Sequence, residues 1–121
     1  MKLDIDKPAL SYDDILCVPS FSNIESRKEI DISTSIDPRR DFKLSLPIIA
    51  SPMDTISETD MVVAMAEAGG LAIVHRYCTI KRQCEILNAA KLRLIDHKEA
   101  QLLTAAAIGI NGDYKERAEA L

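Results

Sequence analysis

The chain has 121 residues, enough for one modest domain, with 47% apolar and 28% charged side chains, an ordinary globular balance. Fifteen basic against nineteen acidic residues give a net charge of −4, and no basic block exceeds the pairs Arg39-Arg40 and Lys81-Arg82, so the electrostatic footprint of a nucleic-acid binder is missing. No apolar run reaches the length of a membrane span, and Met1-Lys2-Leu3-Asp4 lacks a signal peptide's apolar core; the expectation is a cytoplasmic protein with no membrane partner.

Cys17, Cys78 and Cys84 are odd in number and show no metal-ligand spacing, and His75 and His97 do not complete a zinc set. They are expected to be ordinary reduced thiols, with no metal site. Four Gly and five Pro point to regular packed elements without disorder or repeats.

In chain order, Ser11 followed by Asp14 is a helix-start signature that Pro19 soon ends. One turn of helix and an extended arm fit equally well. Residues 28–34 alternate charged and apolar side chains, the period of a half-buried strand. Asp37-Pro38-Arg39-Arg40-Asp41 reads as a turn, and residues 42–46 alternate again, so the two stretches predict a small antiparallel hairpin. Pro47 separates the hairpin from the next element.

From residue 48 the rhythm changes. Ile48-Ile49-Ala50 is continuously apolar, as a strand buried on both faces should be. It runs into Ser51-Pro52-Met53-Asp54-Thr55, and Ser57 is placed to cap a helix with Met61, Ala64, Met65 and Ala68 on its apolar face and Gly69-Gly70 closing it. Leu71-Ala72-Ile73-Val74 is a second buried strand ending in His75-Arg76-Tyr77. Thr79 caps a second helix with Ile80, Cys84, Leu87 and Ala90 inward. Residues 91–101 read as helix tail and connection, and residues 102–109 as a third strand. Asn111-Gly112-Asp113 turns the chain, and Asp113 with Glu116 resembles a capping pair for residues 114–121.

Strand, helix, strand, helix, strand, helix is a βα repeat, which predicts parallel strands. Three such strands leave two apolar edges bare, and the last helix is too short to hold itself together. The expectation is therefore a fragment that needs more chain or a partner supplying it. Its organisation is an arm and hairpin over residues 1–46, then the first βα units of an incomplete barrel over residues 47–121.

Several stretches resemble the IMP dehydrogenase and GMP reductase family, over nearly the whole length and in the right order. They are residues 10–16 with Val18-Pro19, residues 26–34, Pro47-Ile48-Ile49-Ala50-Ser51-Pro52-Met53-Asp54-Thr55 as the most specific, and Gly69-Gly70-Leu71-Ala72-Ile73-Val74-His75. Gln83 comes after these, then Ala106-Ala107-Ile108-Gly109 with Asp113 and Arg117. The resemblance implies the N-terminal portion of a (β/α)8 TIM barrel, about three parallel strands with helices preceded by a short antiparallel hairpin. Its strand ends, residues 51–55, 75–77 and 109–111, would share the catalytic rim. The run from Ala90 to Leu102 leaves no room for the paired regulatory nucleotide-binding (CBS) modules that many IMP dehydrogenases insert.

The resemblance places Ser51 and Met53 at positions that contact the purine nucleotide. Physically, a hydroxyl and free backbone groups at a strand end can bond a ribose phosphate or base edge, and a thioether packs on a flat ring. Read as residues alone, Ser51 is more readily a turn hydroxyl and Met53 a core filler. Asp54 and Thr55 fit turn-fixing roles. His75 fits a hydrogen-bonded structural group better than a catalytic one. The resemblance also places Arg76 near the dinucleotide, which implies cofactor contact, with a solvated surface Arg as the plain alternative.

For the whole protein, the resemblance implies NAD-dependent oxidation of IMP to XMP in guanine nucleotide biosynthesis through a cysteine adduct. It also implies IMP as partner, a homotetramer, and a possible monovalent cation with no ligands in this chain. The nucleophilic Cys loop would lie beyond residue 121, and none of the three cysteines replaces it, so no catalytic residue is assigned and this chain alone is expected to be inactive. Within the resemblance, Ser51-Pro52-Met53 leans toward IMP dehydrogenase, and the missing inserted modules and His75-Arg76-Tyr77 toward GMP reductase, which makes IMP from GMP with NADPH. From a different class, the chain could be a split or decayed product that binds only a partner polypeptide.

Overall fold

The computed structural model describes residues 9–37, 39, 42–95 and 103–121. They form two compact units, one ending at Ile30 and one running from Asp31 to Leu121. In the first, the Asp14 side chain closes back on Ser11, the half of the helix-start signature that the carboxylate supplies. The Ser11 N–H donates to Asp14 Oδ2 at 2.8 Å, and the Asp14 N–H donates back to the Ser11 carbonyl at 3.1 Å. The result is a single 3-10 turn, Tyr12–Asp14, after which Ile15 is extended.

The expected strand over residues 28–34 is displaced. Ser26 caps a 3-10 turn at Arg27–Glu29, its hydroxyl accepting from the Lys28 N–H. The strand β1 starts only at Thr34 and ends at Asp37. Ile30 and Ile32, whose alternation suggested the earlier start, are 46% and 54% exposed. The register is set instead by β2, Phe42–Leu44: Thr34 pairs with Leu44 and Asp37 with Phe42, antiparallel, across an irregularity at residues 35–37. Leu44, 1% exposed, is what this hairpin buries. Of the expected turn only Asp37 and Arg39 are described; the Asp37 carboxylate accepts from the Arg39 N–H at 3.0 Å.

The remaining elements are β3 (Ile49–Ala50), α1 (Thr59–Glu67), β4 (Leu71–Val74), α2 (Ile80–Leu94), β5 (Ala105–Ala106) and α3 (Tyr114–Ala120). The strands lie in the order β3-β4-β5 and both pairings are parallel, Ile49 with Leu71 and Ile73 with Ala105. The expected α/β architecture, hairpin first and parallel sheet after, is therefore what the chain adopts. Residues 96–102, which include part of the expected connection and the start of the expected third strand, lie outside the described residues.

Side chains alternate across a strand, and here the two faces differ. Ala72 and Val74 of β4 join a core with Val62, Val63 and Ala66 of α1 and Ile86, Leu87, Ala90 and Leu94 of α2. Ala50 and Ala106 pack against the same core. Ile49, Leu71, Ile73 and Ala105 occupy the alternate positions, and neither helix covers them with that core. Ile48 and Ile49 are 52% and 47% exposed. Their expected burial on both faces is not observed: Ile49 lies on the side of β3 that the core leaves uncovered, and Ile48 precedes the strand.

In both helices the face turned to the core coincides only in part with the expected one. In α1 it is Val62, Val63 and Ala66, with Met61 and Met65 partly buried and Ala64 and Ala68 exposed. In α2 it is Gln83, Ile86, Leu87, Ala90 and Leu94, with Ile80 and Cys84 half-buried. Thr79 does cap α2, its hydroxyl accepting from the Arg82 N–H at 3.1 Å. No helix among the described residues is long and apolar enough to cross a membrane.

Ile48, Ile49, Met53, Ile56 and Ile110 present exposed apolar side chains, and the β3 edge is open to pairing with another chain. The purified chain is expected to associate, with a light-scattering mass above its 13.4 kDa monomer. A monodisperse 13.4 kDa species melting cooperatively would contradict this.

Candidate functional site

The connection from β3 to α1 is closed on a buried serine. Ser57, 1% exposed, does not cap α1; the cap position is Glu58 and no side chain bonds there. The Ser57 hydroxyl donates to the Ser51 carbonyl and accepts from the Met53 N–H, the latter at 3.2 Å. The Met53 carbonyl takes the Ser57 N–H at 2.9 Å. With its backbone pinned inward, the loop sends Ser51 and Met53 outward: both are exposed, Met53 by 51%. The Ser51 hydroxyl has no protein partner among the described residues. Thr55 sits at φ 61, a left-handed conformation that a β-branched residue adopts only when its surroundings enforce it.

The end of β4 carries His75, Arg76 and Tyr77. His75 is 1% exposed, and its Nδ1 accepts from the Tyr77 N–H at 3.2 Å. It is buried and hydrogen-bonded, as a structural group should be. Arg76 is exposed. Its guanidinium stands 5.9 Å from the Tyr77 ring centroid, within cation–π range. It also lies against Gly109 after β5, where a Cβ would stand 3.3 Å from the Arg76 Nε and Cζ. Gly109 has φ +78, so the position favours glycine on both counts.

Beneath this rim lies a buried polar network that residue patterning did not reveal. The Gln83 amide, fully buried, donates to the His75 carbonyl at 3.1 Å and the Ala107 carbonyl at 2.9 Å, with Val74 O at 3.4 Å. Its Oε1 accepts from Arg117 Nη1 at 2.8 Å. Arg117, 5% exposed, also reaches the Cys78 carbonyl at 3.1 Å and Asp113 Oδ2 at 2.6 Å. One amide and one guanidinium thus tie the ends of β4 and β5 to α2 and α3. Asp113 occupies the cap position of α3 but makes no capping bond, because its carboxylate is committed to Arg117. The expected capping pair with Glu116 is therefore not what holds this helix start. A Gln on the apolar stripe of α2, and an Asp four residues before an Arg, were the available signals.

The Arg117 guanidinium, donating to Asp113, holds that carboxyl below its ordinary range. A depressed pKa contributes stability above the unfolded carboxylate value of about 3.9. That contribution is lost as pH falls through the lower folded value. Asp113→Asn is therefore expected to flatten the acid limb of stability below about pH 4, read from α3 amide exchange against pH; an unchanged limb would count against it.

Neither Cys78 nor Cys84 offers a nucleophile here. Burial pushes the Cys78 thiol up, so it stays protonated; Cys84 Sγ bonds the Ala120 carbonyl at 3.4 Å. Ser51, Met53 and Arg76 all lie at the C-terminal ends of adjacent parallel strands, the end where such sheets hold ligands.

Residues 9–121 match the family model described as the IMP dehydrogenase / GMP reductase domain. The chain belongs to this family. Among curated relatives, the inosine-5'-monophosphate dehydrogenase of Nitrosopumilus maritimus is 41% identical over 70% of this chain and 18% of its own length. The GMP reductase of Leishmania donovani is 43% identical over 68% and 16%. A solved GMP reductase of Trypanosoma brucei superposes with a TM-score of 0.67 at 46% identity, covering 72% of this chain and 19% of that one. The chain thus spans under a fifth of the relatives it matches, and members with both activities match it.

Proposed function

We propose that this chain builds the nucleotide-side rim of an IMP dehydrogenase, the NAD-dependent oxidation of IMP to XMP being carried out by the complete barrel. The observation that carries the reading is the outward Ser51-Pro52-Met53 step, locked by buried Ser57 at the end of a parallel strand. Ser51 offers a free hydroxyl to the nucleotide's polar edge, and Met53 a polarisable face to the purine ring. Arg76 with Tyr77, beside Gly109, fits the cofactor: a guanidinium for a pyrophosphate and a 68% exposed ring for stacking. When bound, NAD supplies the hydride acceptor. This chain's residues bind and orient, and the attacking thiol comes from elsewhere in the barrel.

A second reading, GMP reductase using NADPH, is favoured by the 46% and 48% identity to the Trypanosoma brucei GMP reductase structures, one titled as a complex with guanosine 5'-triphosphate. The deciding experiment assays the complete protein with IMP and NAD against GMP and NADPH. The 121-residue chain is assayed in parallel and is expected to give no turnover. For the complete protein, IMP-dependent NADH formation is expected. Met53→Ala should raise KM for the purine nucleotide about tenfold, equivalent to about 1.4 kcal/mol, and leave the dinucleotide KM unchanged, while Arg76→Ala should do the reverse. NADPH oxidation with GMP alone would establish the reductase. Binding of a partner chain without turnover of either substrate would point to the non-catalytic class.

A further inference from the structure

His75 is fully enclosed, and its Nε2 has no hydrogen-bond partner. Such an atom calls for an explanation. Its Nδ1 accepts from the Tyr77 N–H, so the proton of the neutral ring sits on Nε2, as a donor. Two carboxylates face that donor just beyond hydrogen-bond reach: Glu58 Oε1 at 3.5 Å and Asp54 Oδ1 at 3.7 Å. They are not equivalent. Glu58 is engaged through its other oxygen by Arg82 at 3.0 Å and sits at the start of α1. Asp54 is 63% exposed and stands between Met53 and the left-handed Thr55. A movement of Asp54 of about 0.8 Å would give an ordinary N–H···O bond.

We propose that His75 is a positioning residue, a latch by which the end of β4 takes hold of Asp54 and so sets the place of Met53. The latch is loose in this structure, at the 3.7 Å of the Asp54 contact, and tightens when the 51–57 loop is pressed inward, as by a purine seated on Met53. This last step rests on the nucleotide role proposed for Met53; the latch itself does not. The backbone N–H of Tyr77 fixes which nitrogen carries the proton. Gln83, donating to the His75 carbonyl, fixes where the ring stands. Thr55 keeps the loop poised, because its φ of 61 is held by bonds at Ser57 and not by its own preference.

The test uses the complete protein with labelled ring nitrogens and methionine methyls, the His75 and Met53 resonances being assigned as those lost in His75→Gln and in Met53→Leu. The expected spectrum shows the Nε2-protonated tautomer, and Asp54→Asn shifts the Nε2 resonance more than Glu58→Gln does. His75→Gln, whose amide can stand where Nε2 stood, should leave the Met53 methyl resonance near its parent position. His75→Asn, whose amide reaches only the Nδ1 position, should displace it. An anchoring role toward Tyr77 alone predicts the opposite order, and that order would overturn the latch. So would the Nδ1-protonated tautomer, or an imidazole indifferent to Asp54→Asn. Titration with IMP is a separate arm. A shift of Nε2 toward a hydrogen-bonded value supports closure on the purine. No response to IMP, with the variant pattern intact, fails the nucleotide reading and leaves the latch established.

Discussion

Replacing Gln83 by Leu is expected to destabilise the Asp31–Leu121 unit by about 3 kcal/mol or more, despite adding an apolar side chain to an apolar core. The amide serves four partners at once: carbonyls of Val74, His75 and Ala107, and the Arg117 guanidinium. Leu offers none of these contacts. Each buried polar group left without a partner costs about 1–3 kcal/mol. Ala107 O and Arg117 Nη1 lose a bond to the amide that Leu cannot replace, while Val74 O keeps the Ala107 N–H. The shift in denaturant midpoint at matched protein concentration measures the loss. Arg117→Lys should be milder than Arg117→Met, since Lys keeps the charge beside Asp113 and loses only the planar fork. A near-neutral Gln83→Leu would mean that the ends of β4 and β5 are held by their backbone pairing alone.

The same network shows where sequence reading stops. β4 was legible to the residue, because four apolar residues stand between Gly69-Gly70 and a polar triplet, and length and breakers agree. The Thr79 cap was legible for a similar reason: one residue type has one local task. The face of α1 was not. Residues 61–66 are all apolar, so a period of 3.6 fits more than one stripe, and only packing against α2 and β4 selects Val62, Val63 and Ala66. In α2 the inward stripe begins with a glutamine, which hydrophobic periodicity counts as outside. Its burial is tied to a guanidinium 34 residues away in sequence, which no window can see.

Ser57 is the corresponding lesson at the site. A serine ahead of a helix predicts a cap, yet its hydroxyl goes to the Ser51 carbonyl and the Met53 N–H. The local rule lost to a loop that must turn its own backbone inward to present Ser51 and Met53. The positions of Ser51, Met53 and Arg76 on one rim followed from the βα rhythm. The choice between the two family activities does not follow from these residues, because relatives with either activity match the chain to a similar degree.

Substituting Gly70 by Val is expected to cost about 2–4 kcal/mol and to loosen both halves of the site together. Gly70 follows the left-handed Gly69, whose N–H bonds Ala66 O, while the Gly70 N–H reaches Met65 O at 2.8 Å, the double closure of a Schellman helix end. A Cβ at Gly70 would stand 2.7 Å from Met65 Cε and 2.9 Å from the Ile48 carbonyl. The methionine tip can swing aside. The carbonyl cannot, because it receives the Leu71 N–H at 3.1 Å, the bond that opens the β3–β4 pairing. Relief must therefore come from parting the two strands. Gly69→Ala acts differently: its Cβ meets mainly the Ser45 hydroxyl, and Ser45→Ala should recover that part while the cost of φ +82, about 1–2 kcal/mol, stays. No second substitution at a side chain should rescue Gly70→Val. Amide exchange at Leu71 distinguishes the cases: fast in Gly70→Val, near parent in the Gly69→Ala, Ser45→Ala pair. Because β3 carries Ser51 and Met53 while β4 carries His75 and Arg76, parted strands should weaken nucleotide and dinucleotide binding alike in the complete protein, unlike any substitution on the rim itself.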